Sequence, residues 1–375
     1  MAGRKLPLSA AQLRSFRREL LRWYDANRRE LPWRRDRDPY RVWVSEIMLQ
    51  QTRVAAVLDH YARFMRRFPT VQSLATAREA SVLAAWSGLG YYHRARRMHQ
   101  AAKLIVREHG GNLPKTSEGW SELPGIGRYT AAAIASIAFG EAVAVVDGNV
   151  ERVLRRLFEG TGRSSECWQQ ARALLDHRSP GGFNQAMMEL GATICTPRAP
   201  QCRLCPLHSF CKARGVEEPT PSAVRKNGEL HYALAQKNGL VLLVRRPADA
   251  ALMAGMWELP VVALEGAPSL SPSGVRMGAK DAPLLRLRHS ITDTDYRVAV
   301  FSVTAEQMQD APAGAKWFTR QQCGRLPLTG LARKILRRVD THVEPRGAAE
   351  AALAPATTRN PGFTPRAKLI APLRG

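Results

Sequence analysis

The stretch LPGIGRYTAAAIA, residues 123–135, sets two glycines, Gly125 and Gly127, directly ahead of an alanine-rich run. Glycine permits positive φ and leaves no side chain between the backbone and whatever approaches it. The N–H groups of such a turn, with the positive end of a helix behind them, suit a phosphate oxygen. A plain connection between two helices would use the same residues, so the turn alone decides nothing. The first bulky side chain after it is Tyr129.

Charge points the same way as the turn. The 375-residue chain carries 56 Lys and Arg against 32 Asp and Glu, a net charge of +24. A surplus of that size marks a polyanionic partner such as nucleic acid. Much of it lies early, at Arg14, Arg17, Arg18, Arg22, Arg28, Arg29, Arg34 and Arg35. An acidic membrane surface is the competing partner, but no amphipathic lipid-binding segment stands out. The start, MAGRKLPLSA, lacks the apolar core of a signal peptide, and no window reaches the roughly 18 apolar residues of a span. A cytosolic protein is expected, in a compartment where thiols stay reduced.

Residues 9–212 read as helix after helix. AAQLRSFRRELLRWYDAN spaces Leu13, Phe16, Leu20 and Leu21 at helical intervals and ends at Asn27. Residues 42–68 read as one longer helix, closed by Pro69, and SVLAAWSGLG, RARRMHQAAKLIVREHG, YTAAAIASIAFG and VERVLRRLF follow. After Cys211 the texture changes. Residues 213–228 form a polar, Pro-containing linker, and LHYALAQKNGLVLLVRRP reads as two strands joined at Asn238-Gly239. With a strand at 296–303 and a late helix in LTGLARKILRRV, residues 229–340 make an α+β domain. The tail, 341–375, is rich in Ala, Pro and Arg and is expected to be disordered.

CTPRAPQCRLCPLHSFC spaces Cys195, Cys202, Cys205 and Cys211 as C-x6-C-x2-C-x5-C. A reducing compartment argues against two disulfides, and four thiolates in one short loop can close around a metal centre. Structural zinc usually pairs two close knuckles. One knuckle with two outlying cysteines suits the corners of a cubane better, with zinc as the alternative. Cys167 and Cys323 stand alone and read as small buried hydrophobes.

Two carboxylates stand out. Glu46, in VWVSEIMLQQT, has apolar neighbours that would raise its pKa and keep it protonated as a general acid. It could equally be a first-turn Glu at a helix N-terminus. Asp147, in AVAVVDGNVERVL, follows an apolar run and precedes a helix, which also describes an N-cap.

The cysteine spacing resembles the iron–sulfur loop of the endonuclease III superfamily of DNA repair glycosylases, and LPGIGR resembles that family's helix–hairpin–helix. The resemblance covers most of residues 10–212 and implies an all-α helix–hairpin–helix glycosylase domain. It also implies a 4Fe–4S cluster on the four cysteines, with Arg198, Arg203 and Lys212 presented to DNA and Gly125, Gly127 and Arg128 at a phosphate. The segments around Glu46 and Asp147 resemble the adenine DNA glycosylase (MutY) branch. That likeness implies base excision repair of adenine mispaired with 8-oxoguanine or guanine. Glu46 would protonate the flipped base, Asp147 would stand beside the oxocarbenium-like sugar, and Asn149 would be the orienting amide. MLQQT and GLGYY resemble the family's wedge segments, with Gln51 and Tyr91 filling the duplex; helix packing is the other role open to Tyr91.

The endonuclease III branch has a lysine where this chain has Tyr129. A phenol cannot form that lysine's imine with the sugar, but it can hydrogen-bond a carboxylate, so a monofunctional glycosylase is expected. First-turn packing is the alternative for Tyr129. The second domain resembles the Nudix-like domain that reads 8-oxoguanine, and GMWELP, 255–260, matches the start of such a domain. VVALEGAPSLSPSG supplies a single Glu after it, too few carboxylates for a hydrolase metal, so recognition is expected. LRHSITDTDY aligns with the lesion-reading loop, often Phe-Ser-His, through Ile291, Thr292 and Asp293. Thr292 keeps a hydroxyl, and an anion replaces the histidine. A monomer acting on bacterial nucleoid DNA without a membrane partner completes the expectation. The rivals are an endonuclease III-type lyase on oxidised pyrimidines and a non-enzymatic iron–sulfur redox sensor.

Overall fold

Ser9 opens the first helix, α1 (Ala10–Asn27), with a reciprocal cap. Its hydroxyl accepts from the Gln12 N–H at 3.3 Å while the Gln12 side chain accepts from the Ser9 N–H at 2.8 Å. Phe16, Leu20 and Tyr24 form its buried stripe. The computed structural model describes residues 8–159, 164–215, 225–264, 276–277, 281–308, 311 and 314–342. Most of the expected linker (216–224) and tail (343–375) lies outside these, as does the segment 265–275 after GMWELP.

Among the described residues ten more helices precede the second domain. They are α2 (Pro39–Leu49), α3 (Val54–Arg67), α4 (Val71–Ala75), α5 (Glu79–Trp86) and α6 (His93–His109), then α7 (Ser117–Ser121), α8 (Arg128–Phe139), α9 (Gly148–Phe158), α10 (Ser164–Leu174) and α11 (Pro180–Thr193). Residues 42–68, expected as one helix, are therefore two. The reason is tertiary. The buried Arg94 guanidinium donates to the carbonyls of Ile47 at 2.8 Å, Met48 at 3.2 Å and Gln50, which a continuing helix would have used itself. Gln51 turns the chain at φ +54°.

Two apolar cores flank a central opening. One packs α2 to α8 around Trp43, Trp86 and Trp120, with the Trp43 and Trp120 rings 5.5 Å apart. The other packs α1 against α9, α10 and α11 and takes in Leu207 from the cysteine loop. Phe210 sets its ring edge-on to Phe16 at 5.4 Å. Full burial of Leu207 is worth about 1.5–3 kcal/mol and Phe210 is partly buried beside it, so apolar packing itself anchors the loop.

The second domain opens with β1 (Lys226–Lys237) and β2 (Leu240–Arg245), joined through Asn238 at φ +50° and Gly239 at φ +75°. That is the hairpin read from Asn-Gly. Then come β3 (Trp257–Glu258), β4 (Ala263–Leu264), β5 (Arg276–Met277), β6 (Leu285–Ile291), β7 (Thr294–Val303), β8 (Ala315–Thr319), α12 (Arg320–Cys323) and α13 (Gly330–His342). GMWELP thus lies after two strands, not at the domain's start. The sheet runs β3-β2-β1-β7-β6 with β8 also on β2. β1 and β7 pair in parallel from Lys226↔Thr294 to Ala235↔Val303, and the other pairs are antiparallel, so the sheet is mixed. Residues 1–334 form one compact unit; of the second, 335–375, the described part is the end of α13. Cys167 and Cys323 are both buried, as read from the sequence. Among the described residues no helix is long and apolar enough to cross a membrane.

Candidate active site

The side chain of Asp38 caps α2 by accepting from the Arg41 N–H at 3.0 Å. That start puts Glu46 in the helix's third turn, so the first-turn role open to it in the sequence does not hold. Its carboxyl points inward and Glu46 is only 6% exposed. Tyr129, in the first turn of α8, donates its hydroxyl to Glu46 Oε2 at 2.8 Å. Burial drives the Glu46 pKa up; the Tyr129 bond and the Arg34 charge pull it down, the Asp147 charge adds to the rise, and it settles at about 7. Burial likewise holds the Tyr129 phenol well above its ordinary value, so it stays a donor.

The turn that delivers Tyr129 uses its glycines differently. Gly125 sits at φ +81°, and a Cβ there would stand 2.6 Å from Cβ of Arg97. Gly127 does not take the expected positive φ: it is extended at φ −90° and caps α8. A Cβ there would meet nothing within 4 Å, so its contribution is open space before the helix N-terminus. Arg128 is exposed, with its guanidinium stacked 3.7 Å over the Trp168 ring.

Asp147 is both an N-cap and a wall of the same cavity. Its Oδ1 accepts from the Val150 N–H at 2.7 Å, and its Oδ2 from the Asn149 amide at 3.0 Å. Burial raises its pKa against the pull of those bonds. Asn149 accepts in turn from Arg152 Nη2 at 2.9 Å, and Arg152 also donates to the carbonyls of Gly191 at 2.7 Å and Cys195 at 2.8 Å. Gly191 permits this approach, since a Cβ there would lie 2.7 Å from the Asn149 Cβ. Glu46, Tyr129, Asp147, Asn149, Gln51 and Met188 line a cavity of about 700 Å³, in the range of small-ligand sites.

Three polar groups of this region were not singled out from the sequence. Glu189 takes Arg29 Nε at 2.7 Å and Arg34 Nη2 at 2.9 Å. Burial works to raise its pKa, but the bonds from the two arginines outweigh it and hold it at about 2. Two cations of the basic N-terminal run are therefore committed internally rather than free for a polyanion. The available signal was a lone acid in the apolar run AMMELGA. Arg152 is the second. Arg94 is the third: besides ending α2, it donates to the Leu89 and Gly90 carbonyls at 3.4 and 3.3 Å. It thereby ties the Gln51 turn to the Tyr91 turn. Tyr91 stands at φ +46° and 42% exposed, which does not fit the packing role open to it.

Tyr91, Gly125, Gly127, Arg128 and Thr292 do not line the cavity. Thr292 and Asp293 are the two-residue turn between β6 and β7. Thr292 is at φ +51°, with its hydroxyl donating to the Ile291 carbonyl at 2.8 Å. Hydrogen bonds from Thr294 and Lys226 hold the Asp293 carboxyl below its ordinary range.

Cys195, Cys202, Cys205 and Cys211 line one small separate cavity with Arg156 and His208. Arg156 Nη1 lies 3.3 Å from the Cys195 sulfur and the Gly215 N–H lies 3.3 Å from that of Cys202. Burial above all raises the Cys205 thiol, a backbone hydrogen bond from Leu207 pulls against it, the other three cysteines add to the rise, and it stands at about 12. Among the described residues no three His, Cys, Asp or Glu side chains are grouped tightly enough to hold a metal ion. Arg203 and Lys212 are exposed on this loop, as is Arg198.

Residues 44–174 match the family described as HhH-GPD superfamily base excision DNA repair protein, and residues 231–338 match the NUDIX domain family. The chain is 37% identical to the adenine DNA glycosylase of Mus musculus over 88% of this chain and 79% of that one. For the Homo sapiens enzyme the figures are 37%, 87% and 74%. Among solved structures, a thermostable thymine-DNA glycosylase superposes with a TM-score of 0.50 at 29% identity, over 54% of this chain and 95% of its own. The chain belongs to the adenine DNA glycosylase family, enzymes of base excision repair.

Proposed function

We propose that the chain hydrolyses the N-glycosidic bond of adenine opposite 8-oxoguanine or guanine in duplex DNA and leaves the strand intact. The observation that carries this is a single cavity holding a buried carboxyl whose pKa is raised to about 7 and a second, half-buried carboxylate. Adenine leaves poorly until a ring nitrogen takes a proton. Glu46, still half protonated near neutrality and aligned by Tyr129, supplies it. The bond to the sugar then breaks, its electron pair leaves with the neutral base, and the sugar becomes oxocarbenium-like. Asp147, held by Val150 and Asn149, places its charge beside that cation until water adds to the sugar carbon. No amine stands at Tyr129, so no imine forms and the backbone is not cut.

The target base leaves the stack to reach these groups. Gln51 and Tyr91, clamped by Arg94, fill the gap, and Gly125, Gly127 and Arg128 hold a phosphate. Thr292 and its turn read the orphan base. The four cysteines fit a 4Fe–4S cluster: they line one small cavity, and N–H donors face two of the sulfurs. When bound, the cluster would supply a rigid, charged corner and a one-electron redox centre. This reading has the protein working as a monomer on duplex DNA in a bacterial cytosol.

The deciding experiment is single-turnover base release from A:8-oxoguanine, A:G and oxidised-pyrimidine duplexes, with and without hot alkali. Alkali-dependent cleavage of the first two is expected. Efficient alkali-independent cleavage of the oxidised-pyrimidine duplex would overturn the proposal.

A further inference from the structure

The turn between α5 and α6, residues 87–92, carries Tyr91 and is gripped from two sides. Within the helical domain, Trp86 Nε1 donates to the Gly90 carbonyl at 3.2 Å and Arg94 reaches the Leu89 and Gly90 carbonyls. The other grip comes from the second domain. Ser87 Oγ donates to the Leu328 carbonyl at 2.6 Å, Tyr92 Oη donates to the same carbonyl at 3.4 Å, and Arg333 Nε donates to Ser87 Oγ at 3.0 Å. Ser87 is 4% exposed, so these bonds are sheltered from water and expensive to leave unmade.

Leu328 is not a loose end. Trp257 of β3 donates its N–H to the Pro327 carbonyl at 2.9 Å and accepts from the Thr329 N–H at 2.9 Å, locking Leu328 to the sheet. Beside this joint, Met256 is fully buried within the core around Trp86, and Arg96 donates to the Ala254 carbonyl. Between Gly88 at φ +108°, Gly90 at φ +71° and the clamped helix start, Tyr91 itself takes φ +46°, a backbone conformation that a tyrosine rarely adopts and that its surroundings must hold.

We infer that the second domain is a positioning element for Tyr91, acting through Ser87 and Tyr92. The seating of the domain on the orphan base is passed through the Leu328 carbonyl to the turn that enters the duplex. Preference for the oxidised partner then depends on Ser87, which lines neither the adenine cavity nor the β6–β7 turn. The inference rests on the reading of Tyr91 as a wedge.

The test uses the full chain and duplexes carrying 2-aminopurine next to the orphan base, whose fluorescence reports unstacking. Ser87→Ala should slow single-turnover release from A:8-oxoguanine by about three- to tenfold, the scale of one lost hydrogen bond. It should lower the fluorescence rise and leave A:G within about twofold, and Ser87→Thr should restore both signals. Tyr92→Phe, which keeps the ring, should shift the same quantities less and decides the matter if Ser87→Ala fails to fold. In a double-mutant cycle, Ser87→Ala on a Tyr91→Ala background should add nothing. Additive losses, or native rates and fluorescence in Ser87→Ala, would overturn the positioning role while sparing the wedge. A silent Tyr91→Ala would remove the wedge reading and this inference together.

Discussion

The adenine cavity and the β6–β7 turn solve opposite problems. In the cavity the catalytic groups are buried or half-buried and each is held: Glu46 by Tyr129, Asp147 by Val150 and Asn149, Asn149 by Arg152. At the turn, Thr292 and Asp293 are exposed and bonded to near neighbours, Arg225 and Lys226. A group that must hold a proton at neutral pH needs desolvation, and desolvation demands that every partner be built in beforehand. A group that must meet one base among many needs access, and its partners arrive with the ligand. Substitutions in the cavity should therefore act on rate, and substitutions at the turn on discrimination.

The largest effect is expected at Glu46. Glu46→Gln removes the proton donor and should slow adenine release by about 10²–10⁴-fold or more, with duplex binding kept. In the native chain, release should fall as pH rises through about 7, where the carboxyl ionises. Stability gives an independent check. Folded Glu46 keeps its proton to about 7 against an ordinary value of 4.5, so folding takes up a proton between those values. Native stability should then fall as pH rises across that window. Glu46→Gln cannot ionise and should be more stable than the native chain by on the order of 1–3 kcal/mol at pH 8, with no advantage at pH 4. Equal pH profiles for the two proteins in thermal melts would mean the carboxyl is not shifted.

Next in size is the cysteine loop. Cys202→Ser should lose iron and sulfide, about four of each per chain in the native protein, together with DNA binding. Phe210 and Leu207 are packed into the α1 core, so the helical domain itself should stay folded by circular dichroism. Stoichiometric zinc without acid-labile sulfide in the native protein would end the cluster assignment. Tyr129→Lys changes the product rather than the rate alone. The new amine, delivered by the same helix turn, should give borohydride-trapped covalent complexes with DNA that the native chain does not give.

Much of this was legible in the sequence, and the gaps have physical causes. Helices and the Asn238-Gly239 hairpin follow from local periodicity and turn chemistry. The break at residues 50–53 does not, because Arg94, distant in sequence, takes the carbonyls that would have continued α2. The roles open to Asp147 looked exclusive and are not, since one oxygen caps α9 while the carboxyl faces the cavity. Gly125 and Gly127 look alike in LPGIGR, yet only Gly125 needs positive φ. Glu189 escaped notice because a buried acid is recognisable only with its arginines, and those arginines looked like surface charge.

The smallest effect, and the sharpest test of the comparison, belongs to Thr292. Its hydroxyl spends its proton on the Ile291 carbonyl, and its positive φ fixes where the side chain projects. To read an orphan base the hydroxyl must either rotate away from that carbonyl or accept while still donating to it. Either way one neutral hydrogen bond is at stake, so Thr292→Ala should cost roughly 0.5–1.5 kcal/mol in binding A:8-oxoguanine. Binding to A:G should change much less, which makes the ratio of the two affinities the quantity to measure. Asp293 adds an acceptor where DNA brings phosphates, and Lys226 at 3.4 Å offsets that charge. Lys226→Met should therefore weaken both duplexes alike, through repulsion rather than through reading. If Thr292→Ala also lowers both affinities equally, the turn contributes only to general DNA binding, and the discrimination of 8-oxoguanine has to reside in the helical domain.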